Sequence, residues 1–286
     1  MIRFFSVLSR LIRLRLTLMV TFSALTGYFM SGCSPSTSFL TLFAGIFILA
    51  AGASVLNQVQ EYHYDALMHR TRTRPLPSGE ITRRDATLIA LLLIGSGAML
   101  LRLNGWVPMI LGLLNIVFYN LIYTPLKPRS WISIFPGAMV GGVPPLIGWT
   151  SAGLYLFHPK AIFIFIFVCL WQVPHFWLLM IKYGKEYESA GFSSISKILS
   201  VSQIKRVVFG WGVSTSLFLL FFPLFGFILK PLLLGTLLVT NLFFISQFYR
   251  YLFHEKDYGS IRNAFILINS YAMVVFILLM INALVS

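Results

Sequence analysis

The sequence predicts an all-α, polytopic membrane protein of nine transmembrane helices, and three observations carry that prediction. Mean hydropathy is +0.84, with 58% hydrophobic and only 10% charged residues over 286 positions, far beyond what a soluble core of this length requires. Nine apolar runs approach the roughly 20 residues that a helix needs to cross the hydrocarbon. Positive charge gathers between alternate runs and is sparse between the others.

The runs lie near 14–32, 37–57, 85–102, 105–123, 132–150, 160–181, 206–225, 229–248 and 263–284. The first follows a basic start and closes at Gly32-Cys-Ser-Pro35; the second ends in the polar stretch from Asn57. Arg83 and Arg84 precede the third, which closes at Arg102, and Gly105 opens the fourth, which stops before Pro125. Arg129 precedes the fifth, Pro159 the sixth, Arg206 opens the seventh, Lys230-Pro231 marks the eighth and Arg262 the ninth. Charge, Pro and Gly are the expected punctuation of such helices. Without a Gly/Ser linker, low-complexity stretch or repeat between them, one membrane domain over 1–286 is expected.

The net charge of +14 raises nucleic acid as a partner, but its distribution argues otherwise. With the amino terminus inside, 19 of the 22 Lys and Arg fall on the cytoplasmic side, leaving only Arg102, Lys160 and Lys230 outside. This is the positive-inside asymmetry of a multi-pass protein, and it makes nucleic acid an unnecessary partner. The eight carboxylates, Glu61, Asp65, Glu80, Asp85, Glu186, Glu188, Glu255 and Asp257, share that side. Acids contribute little to topology, so their confinement points to polar chemistry at one face, with solvated loops as the alternative.

Cys33 follows the first run on the outside and Cys169 falls within the sixth, so the two give no disulfide framework and both are read as unpaired. Met30-Ser-Gly-Cys33 after a basic, apolar start faintly resembles a lipoprotein signal. Cleavage there would remove a span and put the basic loops on the wrong side, so the reading is rejected.

The first candidate site is Asn57-Gln-Val-Gln-Glu61-Tyr-His-Tyr-Asp65, followed by a basic stretch with Arg70 and Arg74 that ends at Pro75. If the helix continues, Asn57, Glu61 and Asp65 recur every four residues on one face. Three hard oxygen donors in line suit Mg²⁺, which shares its shell with substrate phosphate. Arg70 and Arg74 continue the spacing and supply forked donors for phosphate oxygens. A solvated, ion-paired helix end is the alternative.

The second acidic cluster is Lys182-Tyr-Gly-Lys185-Glu186-Tyr187-Glu188, on the same expected side, where Glu186 or Glu188 completes a metal site if folding brings it across. Tyr123 and Lys127 offer a phenol and an ammonium to a phosphate, or are ordinary interfacial anchors. His175, inside Trp171-Gln-Val-Pro-His-Phe-Trp177, is an ionisable group in an apolar helix and either faces a substrate or is a satisfied core histidine.

These residues resemble the UbiA-type intramembrane prenyltransferases. Asn57 to Pro75 resembles the family's first acidic motif and Tyr123-Thr-Pro-Leu-Lys127 its Tyr/Lys motif. Gly141-Gly-Val-Pro-Pro-Leu-Ile-Gly-Trp149 and Trp171-Gln-Val-Pro-His-Phe-Trp177 resemble segments of the branch that prenylates heme. Two departures stand out. Glu61 replaces the usual middle Asp, and Lys185-Glu186 replaces the usual Asp-Asp before Tyr187.

The resemblance implies helices around a central cavity, and transfer of the farnesyl group of farnesyl diphosphate to heme B. It implies Mg²⁺ at Asn57, Glu61, Asp65 and Glu186; diphosphate contacts from Arg70, Arg74, Tyr123, Lys127 and Lys182; and His175 as a heme-binding candidate. A heme A synthase or terminal oxidase would use the product, and the chain would reside in a bacterial cytoplasmic membrane. One rival is prenyl transfer to an aromatic acid or quinone precursor; the two heme-type segments oppose it. The other is a transporter, which expects polar groups through the midplane instead of charge gathered at one end.

Overall fold

A computed structural model describes residues 2–228, 230–255 and 258–285, without the side chains of 2–4, 258 and 285. Asp257 therefore lies outside the described residues. Helices carry nearly the whole chain: α1 (Ile2–Leu11), α2 (Leu14–Phe29), α3 (Thr37–Gln60), α4 (Tyr62–Leu67), α5 (Arg83–Arg102) and α6 (Trp106–Ile116). A π-helical stretch (Val117–Tyr123) joins α6 to the single turn α7 (Thr124–Leu126). Then follow α8 (Ile134–Ser151), α9 (Pro159–Ser189), α10 (Val201–Phe218), α11 (Pro231–Tyr249) and α12 (Tyr258–Val285).

Each of the nine apolar runs falls on a helix. Eight of the helical segments are long and apolar enough to cross a membrane, and α2, also apolar, is shorter at 16 residues, about 24 Å at 1.5 Å per residue. Where predicted boundaries moved, helix outlasted hydrophobicity. The second run was expected to stop at 57 but α3 continues to Gln60, and the sixth was expected to stop at 181 but α9 continues to Ser189. Helical hydrogen bonding is indifferent to side-chain polarity, so polar residues project from the ends of the same rods.

The bundle closes by tight helix crossings. A Cβ added at Gly148 on α8 would stand 1.7 Å from the carbonyl oxygen of Ala24 on α2, and one at Gly27 would stand 1.9 Å from that of Pro145. Only glycine lets these backbones approach so closely, the usual means of packing helices where lipid removes the hydrophobic drive. On the other side, Phe163 packs against Phe218, Phe222, Phe225 and Phe227, with ring centroids 4.7 to 5.2 Å apart. Cys33 and Cys169 are both free.

Two irregularities set up the polar end of the bundle. Arg13, between α1 and α2, has φ 51° and ψ 55° and is the only non-glycine with positive φ among the described residues. Thr17 Oγ1 donates to Ile12 O across this corner at 2.7 Å. The second is the π-helical stretch: its wider turn carries Tyr119, Asn120 and Tyr123, and Thr124 Oγ1 bonds five residues back to Tyr119 O at 2.8 Å. Such stretches often accompany functional sites because they re-aim side chains.

Candidate active site

The spacing of Asn57, Glu61 and Asp65 survives although α3 formally ends at Gln60. Glu61 N donates to Asn57 O at 2.9 Å and Asp65 N to Glu61 O at 2.8 Å, so the helical ladder runs through the break into α4. All three side chains are buried. Burial obliges each to find a partner. Lys127 Nζ donates to Glu61 Oε1 at 2.6 Å, Arg74 Nη1 donates to both oxygens of Asp65 at 2.7 and 2.6 Å, and Asn57 Nδ2 donates to Thr124 Oγ1 at 3.0 Å.

The expected continuation of the spacing to Arg70 and Arg74 is not what brings them in. Helix α4 ends at Leu67 and Met68 is extended, ending the helix well before Pro75. Thr71 Oγ1 then donates to Asp65 O at 2.9 Å, folding the chain back so that Arg74 reaches Asp65. Arg70 diverges to α9: its backbone N donates to Glu186 Oε1 at 2.8 Å and its Nη2 to the Tyr187 hydroxyl at 3.1 Å.

Glu186 is thus tied to Arg70 and makes no bond to Asn57, Glu61 or Asp65, while its neighbour Tyr187 lines the same cleft as Lys127. Glu188 turns elsewhere, accepting a bond from Ser196 Oγ at 2.6 Å. Lys182 is exposed, its ammonium 5.0 Å from the Tyr183 ring. Among the described residues no three His, Cys, Asp or Glu side chains converge as a metal cage. What Asn57, Glu61, Asp65 and Glu186 offer is a set of hard oxygen donors beside several cations, a composition that fits Mg²⁺ entering with the oxygens of a substrate anion.

Electrostatics differ between the two buried acids. Burial opposes charge on Glu61, but Lys127, with Arg13 and Arg74 further off, outweighs it and holds the carboxyl below the ordinary glutamate range. Burial likewise opposes charge on Lys127, yet Glu61 keeps its pKa above the usual lysine value. For Asp65 burial wins over Arg74 and pushes the carboxyl up.

In the sequence Arg13 is marked only as one of the basic residues at the start of the chain. Its left-handed backbone turns the guanidinium inward, where Nη1 donates to Asn57 Oδ1 at 3.3 Å and to the Tyr119 hydroxyl at 3.5 Å. Both acceptors are neutral. Gln60 and Asn120 were also missed: Gln60 Nε2 donates to Asn120 O at 2.8 Å and Asn120 Nδ2 to Gln60 Oε1 at 3.0 Å, bracing α3 against the π-helical stretch. No motif spacing announces either pair.

Beside the acids opens a cleft lined by Tyr123, Lys127 and Tyr187 on its polar side and by Trp131, Ile134, Phe176 and Met180 among its apolar walls. Lys127 belongs to both compartments. Its ammonium lies 5.2 Å from the Tyr123 ring, while Tyr187 carries the bond from Arg70. His175 is one residue from this wall. Asn269 Nδ2 donates to Phe265 O on its own helix, which turns Oδ1 toward His175 Nδ1, 2.9 Å away. Nδ1 then carries the proton and Nε2 is left with its lone pair.

The sequence profile of the UbiA prenyltransferase family matches residues 20–282. A protoheme IX farnesyltransferase of Geobacter sulfurreducens is 40% identical over 63% of this chain and 67% of its own. Another of that name, from Oleidesulfovibrio alaskensis, is 35% identical over 77% of this chain and 78% of its own. Among solved structures, a digeranylgeranylglyceryl phosphate synthase superposes with a TM-score of 0.79 at 18% identity, covering 99% of both chains. A UbiA homolog from Archaeoglobus fulgidus bound to DMAPP and Mg²⁺ gives 0.73 at 12% identity, covering 97% of this chain and 98% of that one.

Proposed function

The chain belongs to the UbiA prenyltransferase family, and we propose that it transfers the farnesyl group of farnesyl diphosphate to a vinyl group of heme B, giving heme O and releasing diphosphate. The observation that carries this reading is the pairing of buried Glu61 and Asp65 with Lys127 and Arg74 at the edge of an apolar cleft. The relatives named protoheme IX farnesyltransferase support heme as the acceptor.

Among the described residues, Glu61 and Asp65 are each matched by a basic side chain while Glu186 accepts only the Arg70 backbone N–H, so binding a metal and an anion here would exchange partners within the site. Asn57, Glu61, Asp65 and Glu186 would hold Mg²⁺, whose charge neutralises the diphosphate and makes it a better leaving group. Lys127, Arg74, Arg70 and Arg13 donate to the oxygens on which charge grows as the allylic C–O bond breaks and its electron pair leaves with diphosphate. Arg groups give forked donors and Lys127 a compact one. Tyr123 contributes its hydroxyl at the same rim, and Lys182 is left as an outer charge near the entrance.

Trp131, Ile134, Phe176 and Met180 keep water from the allylic cation until the vinyl π electrons form the new C–C bond. Water then adds to the porphyrin-side cation and loses a proton, giving the hydroxyethylfarnesyl substituent. His175, with Nε2 unprotonated, is the heme-contact candidate.

The chain acts as one membrane domain over 1–286. It is multi-pass, and 19 of 22 basic residues on one side support an orientation with the site facing the cytoplasm; the bacterial sources of the relatives support a bacterial cytoplasmic membrane. Product would pass to a heme A synthase or a terminal oxidase. Mass spectrometry of hemes after incubating the purified protein with heme B, farnesyl diphosphate and Mg²⁺ tests the reading. Heme O formed by the parent and lost in Asp65→Ala supports it; prenylation of an aromatic acid instead overturns it.

A further inference from the structure

We propose that Arg10 is a positioning residue for the diphosphate end of the site, acting through Thr73 on Arg74; the inference rests on the farnesyl-transfer reading above. Arg10 sits in the last turn of α1, away from the acids. Its Nη1 donates to Thr73 O at 3.0 Å and to Glu80 Oε1 at 2.8 Å, and its Nη2 to Glu80 Oε2 at 2.6 Å. Thr73 immediately precedes Arg74, whose guanidinium holds Asp65.

The backbone of Arg10 is gripped from the other side. Gln58 Nε2 donates to Arg10 O at 3.2 Å and also to Leu11 O. Gln58 immediately follows Asn57. One residue is thus tied to the chain neighbours of two site residues, on α3 and on the 68–82 loop. Glu80 is itself aimed by Ser78, whose Oγ donates to Oε1 at 2.9 Å. Leu11 and Leu76 share an apolar cluster with Val55 and Ala86, which anchors α1 and the loop to the same helices.

The side chains of Arg10 and Glu80 are 41% and 23% exposed. Ion pairs this open add little to stability. What this one adds is geometry: a rigid fork spans a carboxylate and a peptide carbonyl at once, fixing the Thr73 peptide and therefore the root of the Arg74 side chain. Loosening it leaves the fold standing and lets Arg74 wander when Asp65 exchanges partners.

The test uses the full chain in detergent, with separate KM values for farnesyl diphosphate and heme B, and the thermal midpoint. Arg10→Met is expected to raise the farnesyl diphosphate KM about five- to tenfold, the scale of one ordinary hydrogen bond. The heme B KM and the midpoint stay at the parent's values. Arg10→Lys, a point charge reaching one acceptor at a time, falls between, and Glu80→Gln, which keeps the Thr73 bond, stays near the parent. An unchanged farnesyl diphosphate KM in Arg10→Met, or both KM values rising with a lowered midpoint, overturns the proposal. If the parent makes no heme O, the farnesyl-transfer reading fails, and the role of Arg10 is read from protection against heat by inorganic diphosphate with Mg²⁺. Weaker protection in Arg10→Met supports it; equal protection overturns it.

Discussion

Lys127 and Glu61, 66 residues apart in the chain, meet at 2.6 Å with side chains only 18% and 7% exposed. The pair joins the acid face of α3 to the wall of the cleft. Removing one member strands the other: a broken buried pair costs about 3–5 kcal/mol, less here in proportion to the residual exposure. Glu61→Gln and Lys127→Met are therefore expected to lower the thermal midpoint and to cut heme O formation at least about a hundredfold. Glu61→Asp keeps the charge and is expected to stay within about tenfold of the parent, consistent with the Asp that the family resemblance leads one to expect there. Initial rates by mass spectrometry separate the three.

The two acids give opposite pH signatures. Glu61 is held below its ordinary range, so its contribution to stability is present above the unfolded value and is lost as pH falls through the folded one. Asp65 is pushed up, so its contribution is present below the unfolded value and is lost as pH rises through the folded one. Acidifying the parent across the carboxylate range is expected to lower the midpoint through Glu61. In Glu61→Gln that contribution is gone, so the same acidification is expected to lower the midpoint less than it does in the parent.

The Asn269 amide sets the His175 tautomer. His175→Ala is expected to raise the heme B KM about tenfold and to leave that for farnesyl diphosphate unchanged. Asn269→Leu, which keeps the imidazole but frees its tautomer, is expected to produce a smaller rise of the same kind. Equal effects on both substrates would assign His175 to packing.

The nine runs, the free cysteines and the Asn57, Glu61, Asp65 face were legible because they rest on periodicity and composition, which a single helix expresses locally. What was not legible depends on breaks in periodicity. Helix α4 ends at Leu67 without a Pro or Gly to announce it, so Arg70 and Arg74 were read as a continued stripe. In fact they part, Arg74 to Asp65 and Arg70 to Glu186. Glu188 appeared interchangeable with Glu186 until Ser196 claimed it. The Gln60 and Asn120 brace lies across 60 residues and follows from the widened turn after α6.

Arg13 separates backbone strain from charge. Its left-handed conformation costs a non-glycine residue about 1–2 kcal/mol, and the structure retains it while aiming the guanidinium at Asn57 and Tyr119. Arg13→Gly accepts the same φ without strain, so the thermal midpoint is expected to hold or rise slightly although the charge is gone. Binding of a non-hydrolysable farnesyl diphosphate analogue is expected to weaken at least about tenfold in that variant, the scale of a hydrogen bond to a charged group. Arg13→Lys keeps the strain and the charge but loses the fork, and is expected to bind between the two. If Arg13→Gly binds the analogue as the parent does, the guanidinium belongs to the scaffold, and the corner exists only to turn α1 away from α2.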